Sequence, residues 1–227
     1  MSDIREIIKT SLHNSGGCIT LGESASFNWL ADPARVVFSL TRYKFVSRML
    51  DGFERVLEVG CADGFGSTIV SKTVRELTCV DIDEELINSA ISSVGNYSPN
   101  IIFNHGDIMS TNFLKGDLFD AIYLLDVLEH IPKEDEDSFI AALTNRLSVN
   151  GTMIIGMPSL ESQAYASEIS KMGHINCKTA QELRLLCNKH FLCTYMFGAN
   201  DEMVNTGYPA LQHYRLALCN SPRKLNS

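Results

Sequence analysis

The sequence lacks the features that would place the protein in a membrane or on a nucleic acid. No apolar run among its 227 residues is long enough to cross a bilayer, and the mean hydropathy is +0.01. Acidic residues outnumber basic ones by 27 to 19, for a formal net charge of −8, and Lys and Arg form no cluster. We therefore predict a small-molecule substrate, with neither a membrane nor a nucleic acid as partner.

Signals for export, disulfide bonding and metal binding are also missing. The segment Met1–Lys9 mixes charged and apolar residues and has no continuous signal-peptide core. The seven cysteines include no CxxC pair, so we interpret them as reduced, small apolar residues. The acidic run Glu134–Asp137 lacks the spacing of metal ligands and is typical of a helix start. We expect a cytoplasmic protein and predict no metal site.

What the sequence does contain is a glycine-rich turn directly after a short apolar run. Residues 56–67, Val-Leu-Glu-Val-Gly-Cys-Ala-Asp-Gly-Phe-Gly-Ser, are typical of a buried strand that enters a ligand-binding loop. Gly60 and Gly64 allow the backbone to turn sharply and to approach a ligand closely. Asp81 ends the next apolar run, roughly 20 residues after Gly60, the separation at which an acid reaches a ribose diol. This pattern predicts one half of a nucleoside-binding sheet.

From residue 52 onward, short apolar runs alternate with amphipathic stretches, which is typical of a parallel sheet covered by helices. The predicted strands cover residues 56–59, 77–80, 101–103, 119–125, 152–157, 191–197 and 212–218. The predicted helices cover residues 67–75, 84–93 and 180–189, and a further one starts within 133–137. Asp83 and Thr179 are suitable N-caps for two of these helices. The segment 96–100 is predicted to end the second helix.

The chain length fits one α/β domain with a small addition. We predict an N-terminal helical cap over residues 1–51 beside the ligand cleft, a catalytic domain over 52–219 and a C-terminal tail over 220–227. Residues 159–177 are predicted to form an irregular insertion at the carboxyl end of a strand, where ligands of open α/β sheets bind.

These motifs resemble those of the class I S-adenosylmethionine-dependent methyltransferases, in particular the bacterial small-molecule and sugar O-methyltransferases. The likeness extends over roughly residues 55–158 and includes the Asp81 motif, the segment 105–108 and the nine-residue segment 124–132. Ala62 stands where the family pattern acid-x-Gly-x-Gly-x-Gly has its second glycine. The resemblance implies a Rossmann-like fold, with a seven-stranded, mostly parallel sheet whose last strand is antiparallel.

The resemblance also implies that S-adenosyl-L-methionine is the cofactor and S-adenosyl-L-homocysteine the product. The residues that it assigns to cofactor binding are Glu58, Gly60, Ala62, Gly64, Asp81, Ile82, Asp107, Ile108, Leu125 and Asp126. Asp81 would bind the ribose hydroxyls, because a carboxylate accepts two O–H donors well. Ile82 and Ile108 would pack on the adenine, and Asp107 would accept from its exocyclic amine. The Leu125–Asp126 segment would border the methionine part, although Asp126 is also a suitable cap for the helix that follows it.

Candidate catalytic and substrate-binding residues follow from their chemistry and position. Three histidines are candidate general bases, because imidazole titrates near neutrality: His130, His174 and His213. A structural histidine held by a backbone carbonyl is the alternative for His130. Trp29, Arg42 and Tyr43 are candidates to line the substrate side of the cap, with Arg42 reaching an anionic group. Packing of the helix against the core is the alternative for Trp29 and Tyr43.

We predict transfer of a methyl group to an oxygen, with nitrogen as the second choice, of a small molecule. A sugar or nucleotide-linked sugar of surface-glycan or natural-product biosynthesis fits the loose likeness beyond residue 158. Two alternatives stay open: a catalytically silent S-adenosylmethionine-binding module, and an NAD-dependent oxidoreductase on a similar sheet. The dinucleotide pattern G-x-G-x-x-G is not met here. Monomer and homodimer are not distinguished.

Overall fold

The computed structural model describes residues 2–14, 17–95 and 97–223. Three sequence predictions extend beyond these ranges. The cap 1–51 includes Met1, Ser15 and Gly16, the turn 96–100 begins at Asn96, and the tail 220–227 ends with residues 224–227, all of which lie outside the described residues. The proposed division into cap, catalytic domain and tail stays a prediction.

Helices precede the sheet, alternate with its first strands and cover both of its faces. The α-helices are α1 (Ser2–Asn14), α2 (Glu23–Ala31), α3 (Pro33–Met49), α4 (Ser67–Ser71), α5 (Glu84–Ser93), α6 (Glu136–Thr144), α7 (Glu168–Gly173) and α8 (Ala180–His190). Short 3-10 helices cover Leu128–His130, Glu161–Tyr165 and Pro209–Leu211. Among the described residues, no helix combines the length and the apolarity that a membrane crossing requires.

The strands form one sheet whose first five members are parallel. They are β1 (Arg55–Val59), β2 (Glu76–Asp81), β3 (Ile101–His105), β4 (Phe119–Leu125), β5 (Leu147–Pro158), β6 (Phe191–Asn200), β7 (Met203–Asn205) and β8 (Tyr214–Pro222). Their order across the sheet is β3-β2-β1-β4-β5-β8-β6-β7, with β8 antiparallel to both β5 and β6. The order reverses between β1 and β4, so the carboxyl ends of these strands form a crevice for a ligand.

The predicted Rossmann-like architecture is confirmed, with one difference in strand number. The sheet has eight strands rather than seven, because β7 pairs with the end of β6 inside the predicted final loop. The helix predicted over 67–75 ends at Ser71. Beyond it, the Thr73 hydroxyl donates to the carbonyl of Ser47 and the Thr73 carbonyl accepts from the amide of Gly52, which fixes the chain on its way into β2. The predicted insertion 159–177 contains α7 and a 3-10 helix.

Side-chain alternation along the buried strands supplies apolar groups to both faces of the sheet. On β4, Ile122 and Leu124 belong to a core packed against α6 and α8, and Tyr123 and Leu125 belong to a core packed against α3, α4 and α5. All four side chains are buried. A central parallel strand covered on both faces is therefore continuously apolar, as the sequence pattern predicts.

Two of the predicted N-caps are confirmed. The Asp83 carboxylate accepts from the backbone amides of Glu85 and Leu86 at the start of α5. Thr179 and Glu182 form a reciprocal capping box at the start of α8. These caps satisfy amides that would otherwise be unpaired at the helix ends, so they fix where each helix leaves the loop before it.

Candidate active site

A cavity of about 350 Å³ lies at the carboxyl ends of β1, β2, β3 and β4, at the reversal of strand order. Its lining is mostly apolar, with carboxylates at intervals. The lining residues are Val59, Gly60, Ala62, Val80, Asp81, Ile82, Gly106, Asp107, Ile108, Met109, Asp126, Val127, His130, Ile131 and Phe139. Seven of the ten residues assigned to the cofactor are in this list, which unites segments predicted separately from the sequence.

Asp81 connects the end of β2 to the glycine-rich loop. Its Oδ2 atom accepts from the amide of Ala62 at 2.8 Å, and its Oδ1 atom accepts from the amide of Asp83 at 3.0 Å. Each carboxylate oxygen has a second lone-pair direction, so the group can still accept from two hydroxyl donors. Two backbone amides therefore hold Asp81 at the cavity wall, with acceptor capacity left for a ligand.

Gly60 is required by two features of the loop. It has a positive φ of 77°, and a Cβ atom at this position would overlap Cγ2 of Val127. Ala62, at the family's second glycine position, also adopts a left-handed conformation, with φ of 48°. The loop therefore keeps a glycine-like backbone at Ala62 in spite of the methyl group.

We expect Gly60→Ala to lower the free energy of unfolding by more than the backbone term of about 1–2 kcal/mol that a left-handed alanine costs. The excess comes from the overlap with Val127, which must move into the cavity wall. Gly52→Ala is the matched control, because Gly52 has a φ of 84° and nothing within 4 Å of the added Cβ. Urea unfolding of both variants measures the difference. An equal loss of unfolding free energy in the two variants would contradict the overlap of the added Cβ with Val127.

The segment after β3 supplies a second carboxylate and an apolar surface. The Oδ1 atom of Asp107 accepts from the amide of Met109 at 2.8 Å. Ile108 is buried, whereas Ile82, which also lines the cavity, is 70% exposed. His105 contacts the carbonyl of Ile82 through Nε2 at 3.2 Å, which ties the two loops together. An apolar slot with an acceptor at its edge suits a flat heterocycle that carries an amino group.

Glu58 lies below the glycine-rich loop and is absent from the described lining of the cavity. Its carboxylate is almost fully buried and accepts from the Tyr123 hydroxyl at 2.7 Å and from the Cys79 thiol at 3.3 Å. Burial raises the pKa of Glu58. Gly64 is also outside this lining, and its added Cβ would lie 2.7 Å from the ring of Phe103. The structure thus gives both residues contacts that support the loop from behind.

A second cavity, of about 540 Å³, adjoins the first. The two cavities share Gly60, Ala62 and Asp126 as lining residues. The remaining lining residues of the second cavity come from α2, α3, the end of β4 and the insertion: Ser24, Asn28, Arg35, Phe38, Ser39, Arg42, Tyr43, Leu125, Ser167 and Ser170. Helices α2 and α3 therefore lie beside this part of the cleft, with Arg42 and Tyr43 in the lining and Trp29 half-exposed outside it.

Asp126 stands where the two cavities meet and forms an ion pair with Arg42. Its φ of 58° places it in the left-handed region, and it does not cap the following 3-10 helix, whose N-cap is Val127. The Arg42 guanidinium lies over the rings of Phe38 and Tyr214, at 4.1 and 3.8 Å from their centroids. Burial lowers the pKa of Arg42, but the effects of Asp126, Tyr214 and Glu129 together exceed that of burial, so the net shift of the pKa is upward.

We expect Arg42→Met to lower the free energy of unfolding by about 2–3 kcal/mol, because it removes a charge-assisted hydrogen bond and leaves Asp126 without its cation. Arg48→Met is the control on the same helix, since Arg48 is exposed and should change stability by about 0.5 kcal/mol or less. Chemical unfolding compares the two. If both variants have the same free energy of unfolding as the parent protein, Arg42 does not hold Asp126 in place.

Two of the three candidate histidines lie next to each other. His130 donates from Nδ1 to the carbonyl of Gly173 at 2.8 Å, and the rings of His130 and His174 are 5.4 Å apart. His174 contacts Oε1 of Gln163 through Nδ1 at 3.0 Å. Burial lowers the pKa of His174, and the neighbouring His130 adds to the effect. His130 lines the smaller cavity.

His213 lies apart from this pair. Its Nε2 atom accepts from the amide of Asp201 at 3.1 Å, and its ring lies 5.0 Å from that of Phe38. Burial lowers the pKa of His213. It is absent from the described lining of both cavities. Its role as a base stays a prediction, with less geometric support than those of His130 and His174.

Glu129 is a residue that the sequence analysis did not single out. Its side chain is fully buried, and neither carboxylate oxygen has a hydrogen-bond partner among the described residues. Burial raises the pKa of this carboxyl well above its usual range, and the charge of Asp126 adds to the effect. The available signal was its place beside His130 in the segment 124–132, where one acid and one histidine adjoin.

Comparison with known proteins agrees with this geometry. Residues 56–151 match the family model described as a methyltransferase domain. A ubiquinone biosynthesis O-methyltransferase of Xanthomonas oryzae pv. oryzae is 27% identical over 142 residues, 61% of this chain and 59% of the relative. An uncharacterized methyltransferase of Mycobacterium bovis is 32% identical over 104 residues, 46% of this chain and 50% of the relative. The N-methyltransferase NodS from Bradyrhizobium japonicum WM9, solved with S-adenosyl-L-homocysteine, has a TM-score of 0.61 at 19% identity, covering 82% of this chain and 86% of NodS.

Residues 56–151 are thus similar to a methyltransferase domain, and the strand order and the likeness to NodS show the Rossmann-like fold of the class I S-adenosylmethionine-dependent methyltransferases. Within this chain the matched region begins in β1 and ends in β5, so it includes both the glycine-rich loop and the strand reversal. The chain spans between half and three fifths of the length of these curated relatives.

Proposed function

We propose that the protein transfers a methyl group from S-adenosyl-L-methionine to an oxygen of a polar small molecule. The observation that carries the proposal is the meeting of two cavities at Asp126, one suited to an adenosyl group and one lined by polar side chains of the cap. The bound cofactor supplies an electrophilic methyl group on a sulfonium, with a neutral thioether as the leaving group.

The hydrogen-bond acceptors and the apolar side chains of the smaller cavity suit the adenosyl group. Asp81 has lone pairs free for the ribose hydroxyls, and Asp107 has one carboxylate oxygen that is not used by the amide of Met109. Ile82 and Ile108 supply apolar surface for the adenine ring. Asp126, at the boundary with the larger cavity, would attract the ammonium group of the methionine part.

The larger cavity suits a hydroxylated acceptor. Ser24, Asn28, Ser39, Ser167 and Ser170 contribute hydroxyl and amide groups to its lining, which is typical of a site for a ligand with several hydroxyls. Arg35 adds an exposed cation, which favours an acceptor that also bears a phosphate, such as a nucleotide-linked sugar. Oxygen is the preferred methyl acceptor in this proposal. The ubiquinone-pathway relative, an O-methyltransferase by name, agrees with that choice.

The protein's main contribution to rate would be positioning. Alignment of an acceptor oxygen with the methyl carbon and exclusion of water supply most of the acceleration, and a base helps only if the acceptor starts as a hydroxyl. His130 is adjacent to the cofactor cavity, so it and His174 are the preferred groups for handling that proton.

The test is incubation of the purified chain with S-adenosyl-L-methionine and a panel of sugars, nucleotide-linked sugars and phenols. Mass spectrometry would follow S-adenosyl-L-homocysteine and the methylated acceptor together. We expect both to appear in equal amounts with at least one hydroxylated acceptor. Cofactor binding without turnover across the panel would favour the silent binding module, and a larger thermal stabilisation by NAD than by S-adenosyl-L-homocysteine would favour the oxidoreductase.

A further inference from the structure

Three side chains of types that can bind a metal lie close together beside the smaller cavity, and one of them, His130, lines it. Glu129, His130 and His174 each offer one ligand atom, and these atoms lie within 4.8 Å of one another. The first two follow β4 directly, and the third comes from the insertion after β5. The fold therefore brings together groups separated by more than forty positions in the chain.

The hydrogen bonds of both histidines leave Nε2 available to bind a metal. The Nδ1 atom of His130 must carry the proton, because it faces the carbonyl oxygen of Gly173. The same holds for His174, whose Nδ1 faces Oε1 of Gln163. The lone pair of each neutral ring is then on Nε2. A second ring nitrogen that donates to an oxygen is the usual arrangement behind a metal-bound histidine.

Glu129 is buried without a hydrogen-bond partner among residues 2–14, 17–95 and 97–223. Its side chain has no exposed surface, and both carboxylate oxygens are without a hydrogen bond among the described residues. The nearby cation, Arg42, is used by Asp126. A buried, unpaired carboxylate is costly, and coordination of a cation is one of the few arrangements that offset this cost.

We propose that Glu129, His130 and His174 bind one divalent transition-metal ion, Zn²⁺ or an ion of similar preference, beside the cofactor cavity. Two imidazoles and one carboxylate form a donor set of catalytic zinc sites, in which a position stays open for a substrate or water. This site departs from the sequence-based expectation of no metal, which rested on the cysteine spacing and on the acidic run Glu134–Asp137.

The role of the ion rests on the proposed function. A divalent cation beside the acceptor would lower the pKa of its hydroxyl, so that the proton leaves to solvent before the oxygen forms its bond to the methyl carbon and sulfur takes the electron pair of the broken C–S bond. With the ion bound, the two histidines act as ligands, and this role replaces the proton handling that is proposed above for the site without a metal.

The test is a titration of the chelator-treated, dialysed full chain with Zn²⁺ by calorimetry, with bound zinc counted by mass spectrometry after desalting. We expect one ion per chain in the parent protein. Glu129→Gln, His130→Ala and His174→Ala should each weaken binding by at least about 100-fold, and Gln163→Leu by about tenfold, because it only orients His174. Glu134→Gln and His13→Gln are the controls, with exposed side chains of the same types and unchanged binding expected.

Absence of a stoichiometric ion in the parent protein would overturn the site. So would equal binding by the Glu129 and Glu134 variants, which would assign the zinc to surface groups or thiols. S-adenosyl-L-homocysteine binding is measured on the same metal-free preparation. Retained cofactor binding without zinc binding refutes the metal site alone, and retained zinc binding without cofactor binding refutes the proposed function alone.

Discussion

Replacement of Asp81 by alanine is expected to weaken binding of S-adenosyl-L-homocysteine on the order of 100-fold. Two ribose hydroxyls would lose their acceptor, and each unsatisfied group costs roughly 1–3 kcal/mol. The amide of Ala62 would also lose its partner, since it donates to the same carboxylate. The loop is therefore less well ordered before binding, which adds to the loss. Calorimetric titration measures the affinity.

Two controls separate recognition from loss of structure. Asp135→Ala removes an exposed carboxylate that makes no side-chain cap bond to α6, so its affinity should equal that of the parent protein. Asp81→Asn keeps an acceptor oxygen and should retain part of the affinity. Circular dichroism checks that each variant is folded. Unchanged affinity in folded Asp81→Ala would remove this residue from the cofactor site.

Replacement of Lys178 by methionine is expected to lower the free energy of unfolding by about 3–5 kcal/mol, the largest stability effect that we predict for a single side chain. Lys178 is buried and donates to Glu136 at 2.5 Å and to Asn176 at 3.0 Å. Its loss leaves the buried Glu136 without a cation. Urea unfolding at neutral pH measures the change.

The same cluster holds the insertion against the segment after β4. The side-chain amide of Asn176 donates to the carbonyl of Ile131 and to the carboxylate of Glu136, both at 3.0 Å. Its backbone N–H donates to the carbonyl of Glu129, also at 3.0 Å. His174 is two residues away. We therefore expect Lys178→Met to weaken Zn²⁺ binding as well, although the side-chain hydrogen bonds of Lys178 go to Glu136 and Asn176 and not to a proposed ligand.

Lys171→Met is the matched control, because Lys171 pairs with Glu168 on the surface and should contribute about 0.5 kcal/mol or less. In the Lys178→Met background, the second change Glu136→Leu should restore much of the stability, since it removes the stranded carboxylate. A loss below about 1 kcal/mol for Lys178→Met would show that water or another group compensates Glu136.

The sheet and the glycine-rich loop were predictable because their signals are local. The strand over Val56–Val59 and the turn at Gly60 are encoded within a few residues, and Asp81 ends the next apolar run. Carboxyl ends of parallel strands meet at one edge of the sheet, so a correct list of strands already places these residues near one another.

Contacts between distant segments were not predictable in the same way. Arg42 and Asp126 are 84 positions apart, and the cap had to be placed on the sheet before their ion pair could be seen. The 3-10 helix at 128–130 decides that Glu129 is buried while His130 reaches the cavity. Glu58 alternates to the side of β1 that faces Tyr123, which the family pattern alone does not indicate.

The short strand β7 was missed for a related reason. Met203–Asn205 has only three residues and pairs with the end of β6, so its apolar alternation is too short to distinguish it from a loop. Its pairing depends on the turn around Asp201, whose φ of 47° lies in the left-handed region.

A crystal structure of the chain with S-adenosyl-L-homocysteine tests the central claim most directly. We predict that the ribose hydroxyls lie within hydrogen-bond distance of Asp81, that the adenine lies between Ile82 and Ile108, and that the sulfur lies near Asp126, where the two cavities meet. Clear density for the molecule at any other place, with the cavity between β1 and β4 filled only by water, would contradict the account.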